Sequence, residues 1–522
     1  MAPLKVHIKH AGKKHDLELD PEKPPVDFKE SVYQLTGVPV DRMKVMVKGG
    51  VLKDDSDWKK IGPKEGQTFM IVGAAGELPK PPAEPIKFLE DMDDTELADA
   101  LGMPVGLTNL GNTCYMSATI QALRAIPELQ TALSESRDPN PIARSLRDLY
   151  TAMSRSTGGV MPFSFHTVLQ AAVPQFAERN STGTGFAQQD AEECWTQVTN
   201  HLREIPGISI PGANNSRAAF IEQYMSGTLV RTLSSPEAPE EPPTVSEENV
   251  LKVVCDISAN TNFMVSGIIE ALNQTLVKHS PTLGREATYN SHSRLSRLPS
   301  YLAIHMVRFT WRRDINKKAK IMRKVKFPSE LDALDIVTDE LREKIQPVAR
   351  KRIEIEKARD ERRKVRKRTR VAVPAAQPPG NNTGSGTEAN ANVSGGGDVE
   401  MSEPAAEQSA GDELQPEEWY REREKTELEA LIDPSIAADV GSSQTGLYDL
   451  VSIITHKGAA ADSGHYIAFV ARRALTGNEE DENWIKFDDD KVSVFPTEKL
   501  ATLDGGGEDS AAYVLLYKSK GL

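Results

Sequence analysis

Cysteine is scarce in this chain, with only Cys114, Cys194 and Cys255 among 522 residues. None stands in a Cys-x-x-Cys pair, so the sequence supports neither a disulfide framework nor a cysteine-rich zinc site. Long apolar runs are absent too, and no stretch approaches the roughly 18 consecutive apolar residues of a membrane-spanning helix. The opening residues, MAPLKVHIKHAGKK, contain no run suited to a secretory signal. We therefore expect a cytoplasmic and nuclear protein without a membrane partner.

Positive charge is in deficit. The formal net charge of −13 argues against general nucleic-acid binding, which relies on clustered Lys and Arg. Hydrophobic residues make up 39% of the chain, enough for at least one sizeable core. At about 100–200 residues per domain, the length suggests roughly two to four domains. We expect the partners to be other proteins.

The N-terminal stretch predicts a small domain over residues 1–76. Apolar residues alternate with polar ones over 4–8 and 17–19, which predicts two strands joined by a turn in AGKK. A helical pattern follows and ends at Gly37, before short strands in KVMV and TFMIVG. This ββαβ order, with PVDRMKVMVKGGVLKDD, resembles ubiquitin, although another small α+β domain would show a similar order. The chain continues beyond the position of ubiquitin's free tail, so we expect a built-in module that is not conjugated.

Two later stretches predict breaks between or within domains. Residues 77–101 are rich in proline and acid and read as a linker. The second domain, over 102–520, contains an insertion at about 338–441. Its first part is a charged segment that predicts a helix, and its remainder is low in bulky apolar groups and predicts disorder. The basic run in the helix suggests nuclear localisation or nucleic-acid binding, but the interleaved acids favour a solvated helix.

Cys114 is a candidate nucleophile. It stands in GLTNLGNTCYMSATIQALRAIPEL, where Ile120, Leu123 and Ile126 recur at helical spacing. A cysteine at a helix start lies near the positive end of the dipole and near unpaired N–H groups, which favour thiolate over a thiol of pKa about 8.5. An intracellular cysteine is more often a buried apolar residue. A nucleophilic role therefore requires a base elsewhere in the chain.

His465 is the candidate base. It lies in THKGAAADSGHYIAFV, where Gly464 permits close backbone approach and YIAFV predicts a strand. A second predicted strand, WIKFDDDKVSVF, follows. If the two pair as a hairpin, Asp488 reaches the imidazole edge away from the sulfur and fixes its tautomer, as covalent catalysis by cysteine requires. Without the cysteine segment, His465 would read as a structural histidine beside a turn acid.

Acyl transfer also needs donors for the developing oxyanion. Asn109 precedes Cys114 in the same loop, and its amide could join the backbone N–H of Cys114 in that role. Asn112 is the competing candidate, although asparagines in loops often only satisfy turns.

Several separated segments resemble the ubiquitin-specific protease family. GLTNLGNTCYMSATIQAL is similar to its cysteine box, and SGHYIAFV with WIKFDDDKVS is similar to its histidine box. FAQQDAEECW resembles its Gln-Gln-Asp segment, LPSYLAIHMVRF its central strand and AAYVLLY its last strand. The resemblance spans roughly Gly106 to Tyr517 outside the insertion. With the module in front, the chain resembles the family members that associate with the proteasome.

This resemblance implies an α+β protein, in which a ubiquitin-like β-grasp domain precedes a papain-like thumb-palm-fingers catalytic domain. The catalytic positions of the family match Cys114 (nucleophile), His465 (general base and acid), Asp488 (orienting acid) and Asn109 (oxyanion donor). The positions that help to hold the tail of ubiquitin match Gln188, Gln189 and Asp190.

The implied reaction is hydrolysis of the isopeptide or peptide bond after the C-terminal glycine of ubiquitin. The implied partners are ubiquitin, polyubiquitin chains and, through the first domain, the regulatory particle of the proteasome. No cofactor and no metal are expected, since Cys194 and Cys255 are too few for the zinc-binding quartet of many relatives. A catalytically weak ubiquitin-binding scaffold and a protease for another ubiquitin-like modifier remain open alternatives.

A glycine-rich acidic loop, Asp504–Asp509, precedes the last predicted strand. A similar loop in the family covers the channel for the ubiquitin tail, although an ordinary hairpin turn would have the same composition. We expect this loop and residues 457–463 to occlude the cleft until the first domain docks.

Overall fold

A computed structural model describes residues 3–48, 50–54, 56–73, 102–136, 140–180, 183, 185–208, 219–312, 317–372, 415–459, 463–479 and 481–521. The chain divides into two compact units, 1–92 and 93–522. The predicted linker over 77–101 and the low-complexity part of the predicted insertion, 373–414, lie outside the described residues.

The N-terminal unit is one mixed sheet covered by a helix. Its elements are β1 (Leu4–His10), β2 (Lys13–Leu19), α1 (Pro25–Thr36), β3 (Lys44–Val47), β4 (Gly50–Val51), α2 (Trp58–Ile61) and β5 (Thr68–Val72). The strand order is β2-β1-β5-β3-β4, with β1 antiparallel to β2 and parallel to β5. The β-grasp order predicted from the sequence is confirmed.

Period-2 alternation places the core of this unit on one face of the sheet. Val6 and Ile8 on β1 are buried against α1, which contributes Phe28. The Phe28 ring meets Trp58 and Phe69 edge-on, with ring centroids 5.6 Å apart in each pair. Such edge-to-face contacts add to the apolar area already buried.

The second unit begins with a helical region. Its helices are α3 (Cys114–Leu123), α4 (Pro127–Glu135), α5 (Pro141–Ser154), α6 (Phe163–Ala172), α7 (Ala191–His201) and α8 (Phe220–Tyr224). Every residue of α3 is buried, so this helix runs through the middle of the unit. The first turn of α3 is therefore held in place by the packing around the helix.

Two further sheets follow. A four-stranded sheet has the order β7-β6-β10-β9, with bounds β6 (Gly227–Ser234), β7 (Thr244–Val250), β9 (Asn273–Ser280) and β10 (Arg285–Arg297). The main sheet has the order β18-β17-β16-β15-β19-β11-β8, with β14 on β15. Its bounds are β8 (Val253–Cys255), β11 (Tyr301–Met306), β14 (Glu330–Asp332), β15 (Leu447–Lys457), β16 (His465–Ala471), β17 (Trp484–Asp488), β18 (Lys491–Phe495) and β19 (Ala511–Ser519).

The remaining elements connect or flank these sheets. They are α9 (Met264–Leu272), the hairpin β12 (Phe309–Arg312) and β13 (Lys317–Lys320), α10 (Asp339–Ala372), α11 (Glu417–Glu429), α12 (Pro434–Ala438) and α13 (Arg472–Thr476). Helices on the main sheet and a separate four-stranded sheet confirm the predicted α+β class.

Packing extends further into the predicted insertion than the sequence indicated. The interval 338–441 was expected to interrupt the domain, with a solvated charged helix at its start. Instead Leu341 and Ile345 on α10 are buried in the core of the catalytic unit, and Val348 and Ile355 pack against Leu428 on α11. Only one side of α10 is therefore solvated.

Charges on α10 explain how a helix of this composition packs. Arg359 and Arg362 pair with Glu424 at 2.7 and 2.6 Å, and Lys351 pairs with Glu427 at 3.0 Å. The acidic partners come from α11, which lies far away in the sequence. The local interleaving of acids and bases therefore could not reveal this ion-paired helix–helix contact.

Candidate active site

Cys114 occupies the first position of α3, after Thr113. Only 2% of the residue is exposed, because both the helices and the main sheet close over it. The first N–H groups of a helix have no partner within that helix, so they point at this end. A thiolate there lies in the positive field of the helix start.

Two hydrogen-bond donors contact the sulfur of Cys114. Gln188 donates from Nε2 to Sγ at 3.2 Å, and the backbone N–H of Tyr466 donates to it at 3.5 Å. A hydrogen-bonding interaction with Cys114 also acts on His465 and raises the pKa of its imidazole. Donors of this kind favour a negatively charged sulfur.

The strands of the main sheet bring His465 and Asp488 together. His465 opens β16, Asp488 ends β17, and the two strands pair antiparallel, as the sequence predicted. Nε2 of His465 lies 2.7 Å from Oδ1 of Asp488. Nδ1 is thereby left for the sulfur, with the carboxylate on the opposite edge of the ring.

Charges around the imidazole stabilise its protonated form. The hydrogen bond with Cys114 has the largest influence and, with the help of Asp488, raises the pKa of His465 to about 9 although burial acts in the other direction. Burial opposes ionisation of Asp488, but hydrogen bonds from Lys486 and His465 lower its pKa below the ordinary value. The geometry therefore favours an imidazolium beside a carboxylate.

Asn109 is tied to a second acid. Its Nδ2 donates to Oδ2 of Asp489 at 2.8 Å, and its Oδ1 accepts from the N–H of Gly111 at 2.8 Å. One hydrogen of the amide is therefore committed to Asp489, and one is left over. The role of Asn109 as an oxyanion donor stays a prediction, with its side chain held next to Cys114's loop.

Asp489 is a residue to which the sequence assigned no role. Its Oδ2 lies 3.9 Å from Nε2 of His465, and burial raises its pKa. Its backbone has a φ of 54°, which an L-residue rarely adopts. The signal in the sequence was the acidic run after Phe487, but which carboxylate turns inward depends on this backbone conformation.

The three predicted ubiquitin-binding residues lie in different surroundings. Gln188 faces the sulfur, while Gln189 donates to the carbonyl of Gln175 at 3.0 Å. Asp190 caps α7 and accepts from the hydroxyl of Tyr513 at 2.7 Å. Gln189 and Asp190 thus hold neighbouring elements in place, and a contact of these residues with ubiquitin stays a prediction.

Asn112, the competing oxyanion candidate, points elsewhere. Its Nδ2 donates to the carbonyl of Phe186 at 2.9 Å, and its φ is 57°. The amide therefore joins the loop before Cys114 to the segment at Phe186, and the left-handed φ is one that asparagine tolerates well.

A second histidine near the site was not singled out from the sequence. His456 is completely buried, and neither ring nitrogen has a hydrogen-bond partner among the described residues. Its ring meets Phe309 and Tyr466 edge-on at centroid distances of 5.0 and 4.9 Å. Burial, and then the nearby charges of Lys320 and His465, lower its pKa to about 4.

The glycine-rich loop is anchored at both ends. Arg308, itself buried, donates to the carbonyl of Asp504 at 2.9 Å. Lys320 donates to the carbonyls of His456 at 2.8 Å and Asp509 at 3.2 Å. Burial, with Arg308 next in effect, lowers the pKa of Lys320 to about 8. One lysine therefore joins this loop to the end of β15, just before the segment 457–463.

The other two cysteines are remote from this chemistry. Cys194 and Cys255 are free and fully buried, and burial raises the pKa of each to about 12. No group of His, Cys, Asp and Glu suited to a metal ion occurs among the described residues. In the same part of the chain, none of the helices is both apolar and long enough to span a membrane.

Comparison with known proteins decides the family. A family model described as ubiquitin carboxyl-terminal hydrolase matches residues 105–517, most of the chain. The chain belongs to the ubiquitin carboxyl-terminal hydrolase family. A second model, described as ubiquitin family, matches residues 6–76. Like other members with a thiol nucleophile, this hydrolase is a cysteine-type deubiquitinase, and its substrates are ubiquitin conjugates.

Relatives of this hydrolase share its whole length. Ubiquitin carboxyl-terminal hydrolase 6 of Schizosaccharomyces pombe is 40% identical over 518 residues, which cover 99% of each chain. Ubiquitin carboxyl-terminal hydrolase 6 of Arabidopsis thaliana is 36% identical, covering 97% of this chain and 96% of its own. Ubiquitin carboxyl-terminal hydrolase 14 of Caenorhabditis elegans is 30% identical, covering 99% and 93%. The two-unit layout is therefore part of the similarity.

Proposed function

We propose that this deubiquitinase acts on substrates held at the regulatory particle of the proteasome, with the N-terminal unit as its docking module. The observation that carries this proposal is an exposed apolar face on that unit. A ubiquitin-like module that is built into an enzyme and is not conjugated serves by binding. Docking would raise the concentration of the catalytic unit near ubiquitin chains without any new contact to them.

The docking face lies on the side of the sheet away from α1. Met46 pairs directly with Val51 on one side and with Met70 on the other, so all three side chains share this face. They are 42%, 43% and 55% exposed, respectively. Lys9, which pairs with Met70, supplies a basic edge. An apolar centre with a charged rim is typical of protein-binding surfaces.

The catalytic steps follow from the site geometry. His465 takes the proton of Cys114, and the sulfur attacks the carbonyl carbon of the last glycine of ubiquitin. The tetrahedral oxygen would be met by the backbone N–H of Cys114 and by the amides of Gln188 and Asn109. His465 then gives its proton to the leaving lysine amine, and a thioester remains. Water, deprotonated by His465, hydrolyses this thioester and releases ubiquitin with a free carboxylate.

Regulation by docking is supported by how closed the site is. Cys114 is almost fully buried, and Lys320 clasps the loop Asp504–Asp509 to the end of β15. We propose that a ubiquitin tail reaches the sulfur only after this region opens. We propose that docking shifts the population towards the open form, so that the free enzyme is slow.

The test compares full-length protein with and without purified proteasomes, using ubiquitin linked to a fluorophore. We expect proteasomes to accelerate hydrolysis at least about tenfold, as a population shift of this kind allows. Met70→Glu should remove most of this acceleration and leave the rate of the free enzyme unchanged, because a buried unpaired charge is costly at an interface. Leu35→Glu is the matched control, since Leu35 is also exposed but lies on α1.

Other outcomes separate the alternatives. Equal rates with and without proteasomes would contradict docking-dependent activity. A ubiquitin probe with a C-terminal electrophile should label Cys114; tight binding without labelling would instead support a weak scaffold. Faster labelling by a probe made from another ubiquitin-like modifier would point to that modifier as the substrate.

A further inference from the structure

The leaving group of this reaction must depart from a defined side of the active site. Whichever group protonates the departing lysine amine must lie next to it, and the only base placed at the sulfur by the proposed mechanism is His465. The lysine-bearing protein therefore lies next to the imidazole, whose Nε2 is 2.7 Å from Oδ1 of Asp488 at the start of the turn 488–490. This step rests on the proposed roles of Cys114 and His465.

The loop that joins α5 to α6 lies close to the turn at 488–490. Leu107 donates from its backbone to the carbonyl of Asp489 at 3.0 Å, and Thr108 donates to the carbonyl of Val160 at 2.9 Å. The segment 106–108 thus lies between the acid turn and the loop that joins α5 to α6. A Cβ added at Gly159 would stand 3.2 Å from Cβ of Asp490, so the loop touches the turn directly.

The next residues of this loop present apolar side chains to solvent. Met161 and Phe163 are both 64% exposed, whereas Pro162 between them is buried. Isolated exposed apolar residues are ordinary on protein surfaces. This pair is different in position, because it continues the edge of the catalytic site on the side of the leaving group.

We propose that Met161 and Phe163 form a docking surface for the lysine-bearing protein, which is the proximal ubiquitin when a chain is cleaved. The expected partner follows from the continuity of this surface with the active site. A protein whose lysine amine lies at His465 has its surface next to the acid turn and this loop. A lysine-bearing protein that fits this surface has an apolar patch close to its modified lysine. The pair thereby distinguishes protein leaving groups from small ones.

The test uses the full-length double variant Met161→Ser with Phe163→Ser. Two substrates are compared under single-turnover conditions with enzyme in excess: ubiquitin linked to a fluorophore, and Lys48-linked diubiquitin. We expect the rate on diubiquitin to fall about five- to tenfold, the usual effect of losing a central apolar contact. The rate on the fluorophore substrate should change less than about twofold, because that substrate has no protein beyond the scissile bond.

The control is Leu431→Ser, the same kind of change at an exposed position after α11; it should leave both rates unchanged. Equal loss on both substrates would overturn the proposal and place the pair on the ubiquitin tail or in the folding of the site. No change on either substrate would also overturn it. Sedimentation gives a further check. The proposal would also be overturned if the wild type were a dimer, and if the double variant abolished this dimer without changing the ratio of the rates on diubiquitin and the fluorophore substrate. A wild-type enzyme that stays inactive on the fluorophore substrate even with purified proteasomes would instead contradict the proposed function.

Discussion

The two units place their working residues in opposite environments. The N-terminal unit keeps Met46 and Met70 on the open face of its sheet, 42% and 55% exposed. The catalytic unit buries Cys114 at the start of a helix that is itself wholly buried. A docking surface must be accessible before its partner arrives, whereas a reactive sulfur gains from shielding. This difference fits the proposal that the N-terminal unit binds a partner while the catalytic unit carries out the chemistry.

Burial changes how charges act in the catalytic unit. Electrostatic interactions strengthen as water is excluded, so the contacts of His465 with Cys114 and Asp488 can raise its pKa to about 9. Lys9 on the N-terminal sheet is exposed to solvent, where water and salt screen its charge. Substitutions in the two units should therefore have separable effects, and each prediction below tests that separation.

The largest effect is expected from Cys114→Ala. Loss of the nucleophile should reduce hydrolysis of ubiquitin–fluorophore by about 10⁴-fold or more, the scale seen when one member of a catalytic unit is removed. Binding to proteasomes should remain at the wild-type level, because the docking face belongs to the other unit. Both quantities can be measured on full-length protein, by fluorescence and by co-sedimentation.

His465→Ala is the companion variant. Its loss should be nearly as large, and the double variant should be no slower than either single one, because the two residues act as a unit. Hydrolysis above the uncatalysed rate in Cys114→Ala would remove this cysteine from the mechanism. Weaker proteasome binding in the same variant would break the division between units.

A smaller effect is expected from Asp488→Asn. This acid is hydrogen-bonded to the ring of His465, and its loss should slow turnover about 100-fold or more by disturbing the tautomer. Asp490→Asn is the matched control and should have a mild effect on ubiquitin–fluorophore hydrolysis, because this carboxylate is exposed to solvent. Similar losses from both changes would show that the wrong acid of the run has been assigned.

The pH profile of Asp488→Asn adds a second readout. The raised pKa of His465 means that the imidazolium persists until the pH approaches about 9, so wild-type kcat/KM should fall only above that value. Without the carboxylate, the proton is held less strongly, and this alkaline limb should move to lower pH. An unmoved limb would mean that Asp488 does not act on His465.

The sequence could predict the triad because each residue carries local signals. Cys114 stands at the start of a helical pattern, and His465 and Asp488 stand at the ends of two strands that pair antiparallel. It could not predict the pairing of Asn109 with Asp489, which lie 380 positions apart. That contact depends on how the helical region meets the sheet, and no local pattern encodes it.

The same limit applies to groups buried by distant elements. His456 stands near the end of a mostly apolar strand, and nothing in that pattern indicates that Phe309 will cover its ring. The sequence pattern predicted that the charged segment α10 is a helix. It did not indicate that the acids of α11 would pair with the bases of α10. Helix and strand positions follow from periodicity, whereas burial of a polar group depends on what the rest of the chain brings against it.

The smallest effect is expected from the protonation of His456. Because its pKa is lowered to about 4, the unfolded chain binds a proton at this residue between pH 6.5 and 4 that the folded chain does not bind. Stability conferred by the neutral ring is thus present above pH 6.5 and lost on acidification, by about 1 kcal/mol per pH unit. For a unit of this size, the melting temperature should fall by about 1 to 2 °C per pH unit from this source.

His456→Phe should remove that part of the slope, measured by thermal unfolding of full-length protein at pH 7, 6 and 5. His166 and His305, whose pKa values are also lowered by burial, contribute equally to both proteins and cancel in the difference. An identical slope in wild type and variant would show that the imidazole of His456 is not held neutral by its surroundings.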